Sequence, residues 1–250
     1  MKPTEKAKAL REVEDALQLR KVPPDPNAYF DLQKYIGTKF CMSGMPMPEL
    51  RKLFRQGYSF RDASAKDQFL LWEYIFKQSD WHDAMTQSIF YVDKYAPKED
   101  PEYIFAKLKT WVKRVDNWAH SDQLTHHYAL LHEKIPAAVY AQLQTWNTSK
   151  NPWERRQSVL SLLDYARHRT IYPSFNKIIA LVKPLLPDDA YFVQKGVGWC
   201  LRECGIVYPE KTLVFLHTHA KKLSGTAFAT ATEKITSSDK EALKAIRKKK

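Results

Sequence analysis

With 250 residues, 44% of them hydrophobic and 27% charged, the chain is long enough to bury a core in one large domain or one continuous array. Only seven glycines argue against a fold of hairpins and tight turns, which draw on glycine at positive φ. A net charge of +12 fits either a solubility surface with a lysine tail or a polyanion-binding face and does not choose between them, and no apolar run approaches the ~18 residues of a membrane span, so a membrane partner is not expected.

In chain order, Thr4–Arg20 predicts a strongly charged helix, and Val22–Pro26 reads as its linker. Ala65–Gln78 carries a broad apolar stripe of Phe69, Leu70, Trp72, Tyr74, Ile75 and Phe76 at helical spacing. Glu102–Val115 repeats it with Ile104, Phe105, Leu108, Trp111, Val112 and Val115. Asp100-Pro101, Asn151-Pro152 and Tyr208-Pro209 each put proline where a first-turn N–H has no partner. Ser64 with Asp67, and Asp188-Asp189 before Ala190, supply caps or negative charge at helix starts. No alternating strand is evident.

Helix pairs recur over 46–79, 82–115, 118–148, 151–186 and 187–222. The period predicts an all-α, HEAT-like helical-repeat solenoid with a concave basic groove, an irregular bundle being the alternative. The expected organisation is an N-terminal helix and linker over 1–24, the repeat domain over 25–236 and a basic tail over 237–250. Residues 1–21 hold six basic and four acidic side chains, and residues 239–250 hold six and two, leaving 28 basic and 22 acidic between them. About half of the positive excess therefore belongs to the repeats. Cys41, Cys200 and Cys204 are too few for a disulfide framework, and no apolar leader precedes the repeats, so a cytoplasmic monomer is expected.

Three segments carry chemistry. Trp118 and Asp122 are four residues apart, hence on one helix face near a helix start, where the macrodipole favours a carboxylate. Arg155 and Arg156 follow Asn151-Pro152-Trp153 near another start, where free N–H groups suit phosphate. Lys195, Trp199 and Arg202 form one stripe in a run whose Gly196 and Gly198, costly in a helix at roughly 1 kcal/mol each, demand a close neighbour. Each segment alone also fits ordinary packing or a solvated surface. Opening successive repeats, they would combine into aromatic faces interleaved with cations, the composition of a nucleic-acid site.

Asn117-Trp118 with Asp122, Trp153-Glu154-Arg155-Arg156, Met45-Pro46-Met47-Pro48-Glu49-Leu50-Arg51-Lys52-Leu53 and, above all, Gln194-Lys195-Gly196-Val197-Gly198-Trp199-Cys200-Leu201-Arg202-Glu203 give the chain its resemblance to the AlkD-like DNA alkylation repair proteins. The resemblance spans about Met45 to Ala220. It implies hydrolysis of the N-glycosidic bond of cationic N3- or N7-alkylated purines in duplex DNA, with no cofactor. Asp122 would be the catalytic carboxylate, Trp118 and Trp199 the aromatic walls, and Arg156 and Arg202, with Lys195 and Arg155 beside them, the DNA ligands. A cationic purine leaves without a general acid. The barrier then lies in the sugar oxocarbenium ion, which a fixed carboxylate stabilises.

Two departures stand out: Ala119 occupies a position where the family often has Asp, and Leu223–Glu233 lacks basic residues. The histidines, notably His126-His127 with His132, lack a zinc-ligand spacing, and no metal is expected. Trp72, Trp81, Trp111 and Trp146 read as core, and Cys200 and Cys204 as small buried hydrophobes. Without a working carboxylate the same aromatics and cations would describe a non-catalytic HEAT-like module that binds nucleic acid or protein.

Overall fold

The computed structural model of the chain describes residues 2–23 and 31–248, so the expected 24/25 boundary lies outside the described residues. Fourteen α-helices are present among them: α1 (Pro3–Gln18), α2 (Leu32–Ile36), α3 (Met47–Gln56), α4 (Ala65–Gln78), α5 (His82–Tyr95), α6 (Pro101–Leu108), α7 (Trp118–Lys134), α8 (Pro136–Asn147), α9 (Pro152–Leu160), α10 (Phe175–Val182), α11 (Tyr191–Val207), α12 (Pro209–His219), α13 (Gly225–Ala231) and α14 (Ser237–Lys248). The only β pairing among the described residues is one bridge, Cys41 to Trp81. The fold is all-α, and the five expected helix pairs are there. A sixth, α13 with α14, falls where the sequence suggested the end of the domain and a tail.

The start signals act as their chemistry predicts. Pro101, Pro152 and Pro209 open α6, α9 and α12, while Asp100, Asn151 and Ser64 accept backbone N–H groups of the first turns that follow them. No helix among the described residues is long and apolar enough to cross a membrane.

The chain divides into two compact units, Met1–Leu124 and Thr125–Lys250. In the first, α4 and α5 pack on each other, and α1 and α3 pack on that pair. α1 is thus built in rather than appended: Ala9, Val13 and Leu17, four residues apart, are all buried. Burying Val13 and Leu17 contributes on the order of 1.5–3 kcal/mol each before chain entropy is counted. Phe76 stacks on Trp111 at 4.1 Å, and Phe69 on Tyr95 at 4.9 Å. Trp72, Trp111 and Trp146 are core residues as expected. Trp81 is not; it is half-buried at the N-cap of α5, because the backbone bridge to Cys41 holds it at the surface, with Lys21 over its ring.

In the second unit α11 packs against both α9 and α13, forming a row, while α8 contacts α10 and α12 contacts α14. The two helical glycines explain that row. A Cβ on Gly198 would lie 2.7 Å from the Ala227 carbonyl oxygen and from Thr230 Cβ, both on α13. A Cβ on Gly196 would lie 3.2 Å from Cγ of Arg156 on α9. The stretch 223–233 lacks basic residues because its small side chains, Ala227 and Thr230 among them, form a buried helix against Gly198.

Candidate functional site

In the first unit the candidate residues stand at the start of α7. Trp118 is its first residue and Asp122 follows one turn later; both are half-buried. Asn117 caps the helix, its Oδ1 accepting the N–H of His120 at 2.9 Å. Its Nδ2 donates to Asp116 Oδ1 (2.8 Å) and to Nδ1 of His120 (3.1 Å). Because Nδ1 accepts, the hydrogen of His120 sits on Nε2, which lies 3.0 Å from Thr86 Oγ1 and 3.2 Å from the His82 carbonyl. The ring is fully buried and stacks on His82 at 4.1 Å. Burial, reinforced by the charge His82 can carry, holds the His120 pKa well below 6.5, so the cap rests on a neutral imidazole.

Around this plug the chain is pinned by carboxylates. Asp83 is buried, which alone would raise its pKa; hydrogen bonds from His82 and from Ser43, whose N–H lies 2.6 Å away, outweigh that and lower it. Asp116 accepts from Thr38 Oγ1 (2.9 Å) and from the Lys39 N–H (2.7 Å), tying down the segment after α2. That segment brings up a residue the sequence did not flag, Tyr35. Its carbonyl accepts the Trp118 Nε1–H at 3.1 Å, and its ring meets the indole edge-on at 5.4 Å. Ala119, half-buried on α7, offers no side-chain acceptor.

The second unit holds the remaining candidates. Trp199, on α11, donates its Nε1–H to the Asp164 carbonyl (2.9 Å) and packs against Tyr165 (4.9 Å). Arg202 lies over the Trp199 ring, 5.5 Å from its centroid. Its Nε donates to Glu203 (2.9 Å) and its Nη1 to Glu233 (2.7 Å). Burial opposes the charge on Arg202, but these two carboxylates outweigh it and raise its pKa. Glu203, fully buried, also accepts the Ala166 N–H at 3.1 Å and lies 3.5 Å from Lys234 Nζ. Lys195, half-buried one turn before Trp199, has no ion-pair partner among the described residues.

Two of the expected DNA ligands, Arg155 and Arg156, donate to groups within the unit. Arg155 is committed inside the unit: Nε and Nη2 hold Asp188 at 2.5 and 3.2 Å, and Nη1 donates to the Ser149 and Lys150 carbonyls. A guanidinium with its fork closed on a carboxylate has little left for phosphate. Arg156 is only 3% exposed and donates Nη1 to the Phe192 carbonyl at 2.7 Å, bracing the first turn of α11 from beneath.

Asp164, Tyr165 and Glu233, which contact Trp199 or Arg202, were not apparent in the sequence. Glu203, next to Arg202 in the motif, was within reach of sequence reasoning; the others join only through the fold.

The sequence profile of the family described as "DNA alkylation repair enzyme" matches residues 18–235. Curated proteins offer no match to the chain. Among solved structures, a predicted DNA alkylation repair enzyme from Enterococcus faecalis is similar over 87% of this chain and 99% of its own, with a TM-score of 0.69 at 15% identity. AlkD2 from Streptococcus mutans is similar over 82% of this chain and 96% of its own, with a TM-score of 0.54 at 20% identity. At such identities these two likenesses speak for the shared helical-repeat fold, and the family match carries the role, DNA alkylation repair with DNA as the partner. Matched over most of its length, the chain belongs to the DNA alkylation repair enzyme family.

Proposed function

We propose that the protein is a DNA glycosylase that hydrolyses the N-glycosidic bond of cationic N3- and N7-alkylated purines in duplex DNA, acting as a cytoplasmic monomer without a cofactor. The observation that carries this reading is the start of α7. A cap, a buried neutral imidazole and the Tyr35 carbonyl fix Trp118, and Asp122 follows one turn later at the positive end of the helix.

A base that is already cationic needs no proton to leave. The enzyme's work is to stabilise positive charge developing on the sugar, and a carboxylate fixed before the reaction does this without reorganising at that moment. In this reading Asp122 stabilises the oxocarbenium ion and positions the water. Trp118 and Trp199 present negatively charged ring faces to the cationic base and sugar. Lys195 contacts phosphates, and Arg202 does so by giving up its half-exposed partner Glu233, whereas Arg155, whose partner Asp188 is buried, supports its own turn and Arg156 supports α11. Selectivity comes from the charge of the lesion rather than from base-edge contacts.

The test is release of methylated purine from alkylated duplex DNA. Wild type is expected to release it, and Asp122→Asn to lose on the order of 10²–10³ in rate while binding DNA as well or better. No release by wild type overturns the reading and leaves a binding module. Equal release of neutral and cationic lesions in competition overturns the charge-selectivity part alone.

A further inference from the structure

We propose that a cavity of the first unit, apart from the candidate glycosylase residues, binds a nucleotide: an amino-bearing base among aromatic rings, with its phosphate on Arg55 and Lys94.

The cavity has a volume of about 420 Å³, within the range of small-molecule sites, and is lined by the end of α3, the turn after it, α4 and α5. Trp72 of α4 is its buried ring, and Phe54, Tyr58 and Phe60 meet that indole at 5.6, 5.7 and 5.4 Å. Phe54 and Phe60 are only half-buried where they line the cavity. Rings of this kind are platforms on which a base stacks, whatever its identity. Gln68 adds a preference. Its Nε2 donates to the Arg61 and Ala63 carbonyls at 2.9 and 2.8 Å, so the amide is oriented and Oε1 is the group it can offer a ligand. Adenine, guanine and cytosine carry an exocyclic amine for that acceptor, and thymine does not.

The charges suit a phosphate. Arg55, Arg61 and Lys94 line the cavity against one carboxylate, Asp62. Arg61 is partly occupied: its Nε lies 3.7 Å from Asp62, and its Nη1 donates to the Gln56 carbonyl. Arg55 and Lys94 are exposed and have no ion-pair partner among the described residues. They reach the cavity from different helices, α3 and α5, so they can grip one phosphate from two elements. Both also line an adjoining hollow of about 280 Å³, where Asp93 is the carboxylate and the Arg51 guanidinium lies 4.3 Å from the Phe90 centroid.

The turn that carries Tyr58, Phe60 and Arg61 is set in advance. Gly57 opens it with φ of 81° and ψ of 176°, a conformation confined to glycine, and a Cβ there would lie 2.9 Å from Arg61 Cδ. The Ser59 N–H and hydroxyl donate to Glu12 of α1, while Gln68 clasps the far end of the turn. A site fixed before binding loses less freedom when the ligand arrives. It is also distant from the start of α7. Lys94 follows His82 by twelve residues on α5, about 18 Å along the helix, and His82 is the ring that stacks on His120 beneath Trp118.

The experiment titrates the full-length protein with dGMP, dTMP and inorganic phosphate by calorimetry, and repeats this with the double variant Arg55→Gln/Lys94→Gln and with Phe60→Leu. Both cations are exposed, so the double variant is expected to keep the fold. Wild type is expected to bind dGMP with a Kd below about 1 mM, and dTMP and phosphate at least about tenfold more weakly. The double variant and Phe60→Leu should each lose about tenfold in dGMP affinity. The nucleotide can be free or unstacked from a strand, and a duplex with an unpaired guanine overhang, compared with a blunt duplex, separates the two. Tighter binding of the overhang that the double variant loses assigns the site to a strand; dGMP binding with no gain from the overhang assigns it to free nucleotide. No dGMP binding together with no gain from the overhang overturns the proposal, and so does dGMP binding that the double variant retains. Phosphate binding as tight as that of dGMP also overturns it, leaving a cationic patch. Equal binding of dTMP and dGMP overturns the part given to Gln68. Release of methylated purine is a separate measurement, so the glycosylase reading stands or falls independently of these results.

Discussion

At the start of α7 Trp118 is held by groups that carry no net charge or that accept backbone N–H groups: the Asn117 cap, the neutral His120 ring, the Tyr35 carbonyl and the Asp116 carboxylate on Lys39. Around α11 the work falls to paired charges instead. Arg202 lies between Glu203 and Glu233, and Arg155 is closed on Asp188, while two glycines let neighbouring groups approach α11 closely. The two solutions have different weaknesses. A neutral buried network is indifferent to salt but fails when a member must take up a proton. A buried ion pair is of modest value when whole, and its failure is severe when one partner is removed.

The sharpest way to break this comparison is Glu203→Ala. It leaves the Arg202 guanidinium, with 14% of its side chain exposed, short of a buried partner, and strips the acceptor from the Ala166 N–H. The expected loss is about 3–5 kcal/mol in urea unfolding. A loss of less than about 1 kcal/mol, the net worth of an ordinary hydrogen bond, would mean that the charges around α11 do not hold it.

Next in size is the contrast between the two glycines. In Gly198→Ala the new methyl meets the α13 backbone at 2.7 Å, so the helices must separate. Overpacking of this kind costs about 1–3 kcal/mol or more, against about 1 kcal/mol gained in helix propensity, so a net loss is expected. In Gly196→Ala the neighbour is the Arg156 side chain at 3.2 Å, which can yield a few tenths of an ångström. Its stability should stay within about 1 kcal/mol of wild type. Equal melting temperatures for the two variants would remove the distinction between backbone and side-chain contact.

The sequence made the helix pairs legible because apolar spacing and N1 prolines are local signals. α13 escaped notice because Gly-Thr-Ala-Phe-Ala-Thr-Ala has little apolar stripe; it is a helix by virtue of fitting Gly198, a tertiary cause. The candidate site divides in the same way. Trp118 and Asp122 could be paired from spacing because one helix carries both. The partners that fix the candidates could not, since Tyr35 is 83 residues from Trp118, Asp164 is 35 from Trp199 and Glu233 is 31 from Arg202. Arg155 shows the same limit. Its helix-start position suits phosphate, but Asp188, 33 residues on, had already claimed its donors.

Acid should expose a weakness that both units share, one proton at a time. His120 in the first unit and His132 in the second are held neutral: His120 well below 6.5, and His132 at about 4 through burial and then the charges of Arg169 and Lys177. In the unfolded chain each titrates near 6.5, so below that pH the unfolded state binds protons that the folded state refuses. Stability is therefore full above pH 6.5 and falls as pH drops, by about 1 kcal/mol per histidine between pH 6.5 and 5.5. The lowered carboxylates Asp83 and Glu133 act in the same direction, but only below their ordinary values of 3.8 and 4.5. The window from 6.5 to 4.5 thus belongs to the histidines. Urea unfolding of wild type at pH 6.5 and 5.5 should show the combined loss, and His132→Leu should remove its share and leave that of His120. An unchanged pH slope in His132→Leu would mean that His132 is not neutral in the folded protein, leaving the plug under Trp118 as the acid-sensitive element.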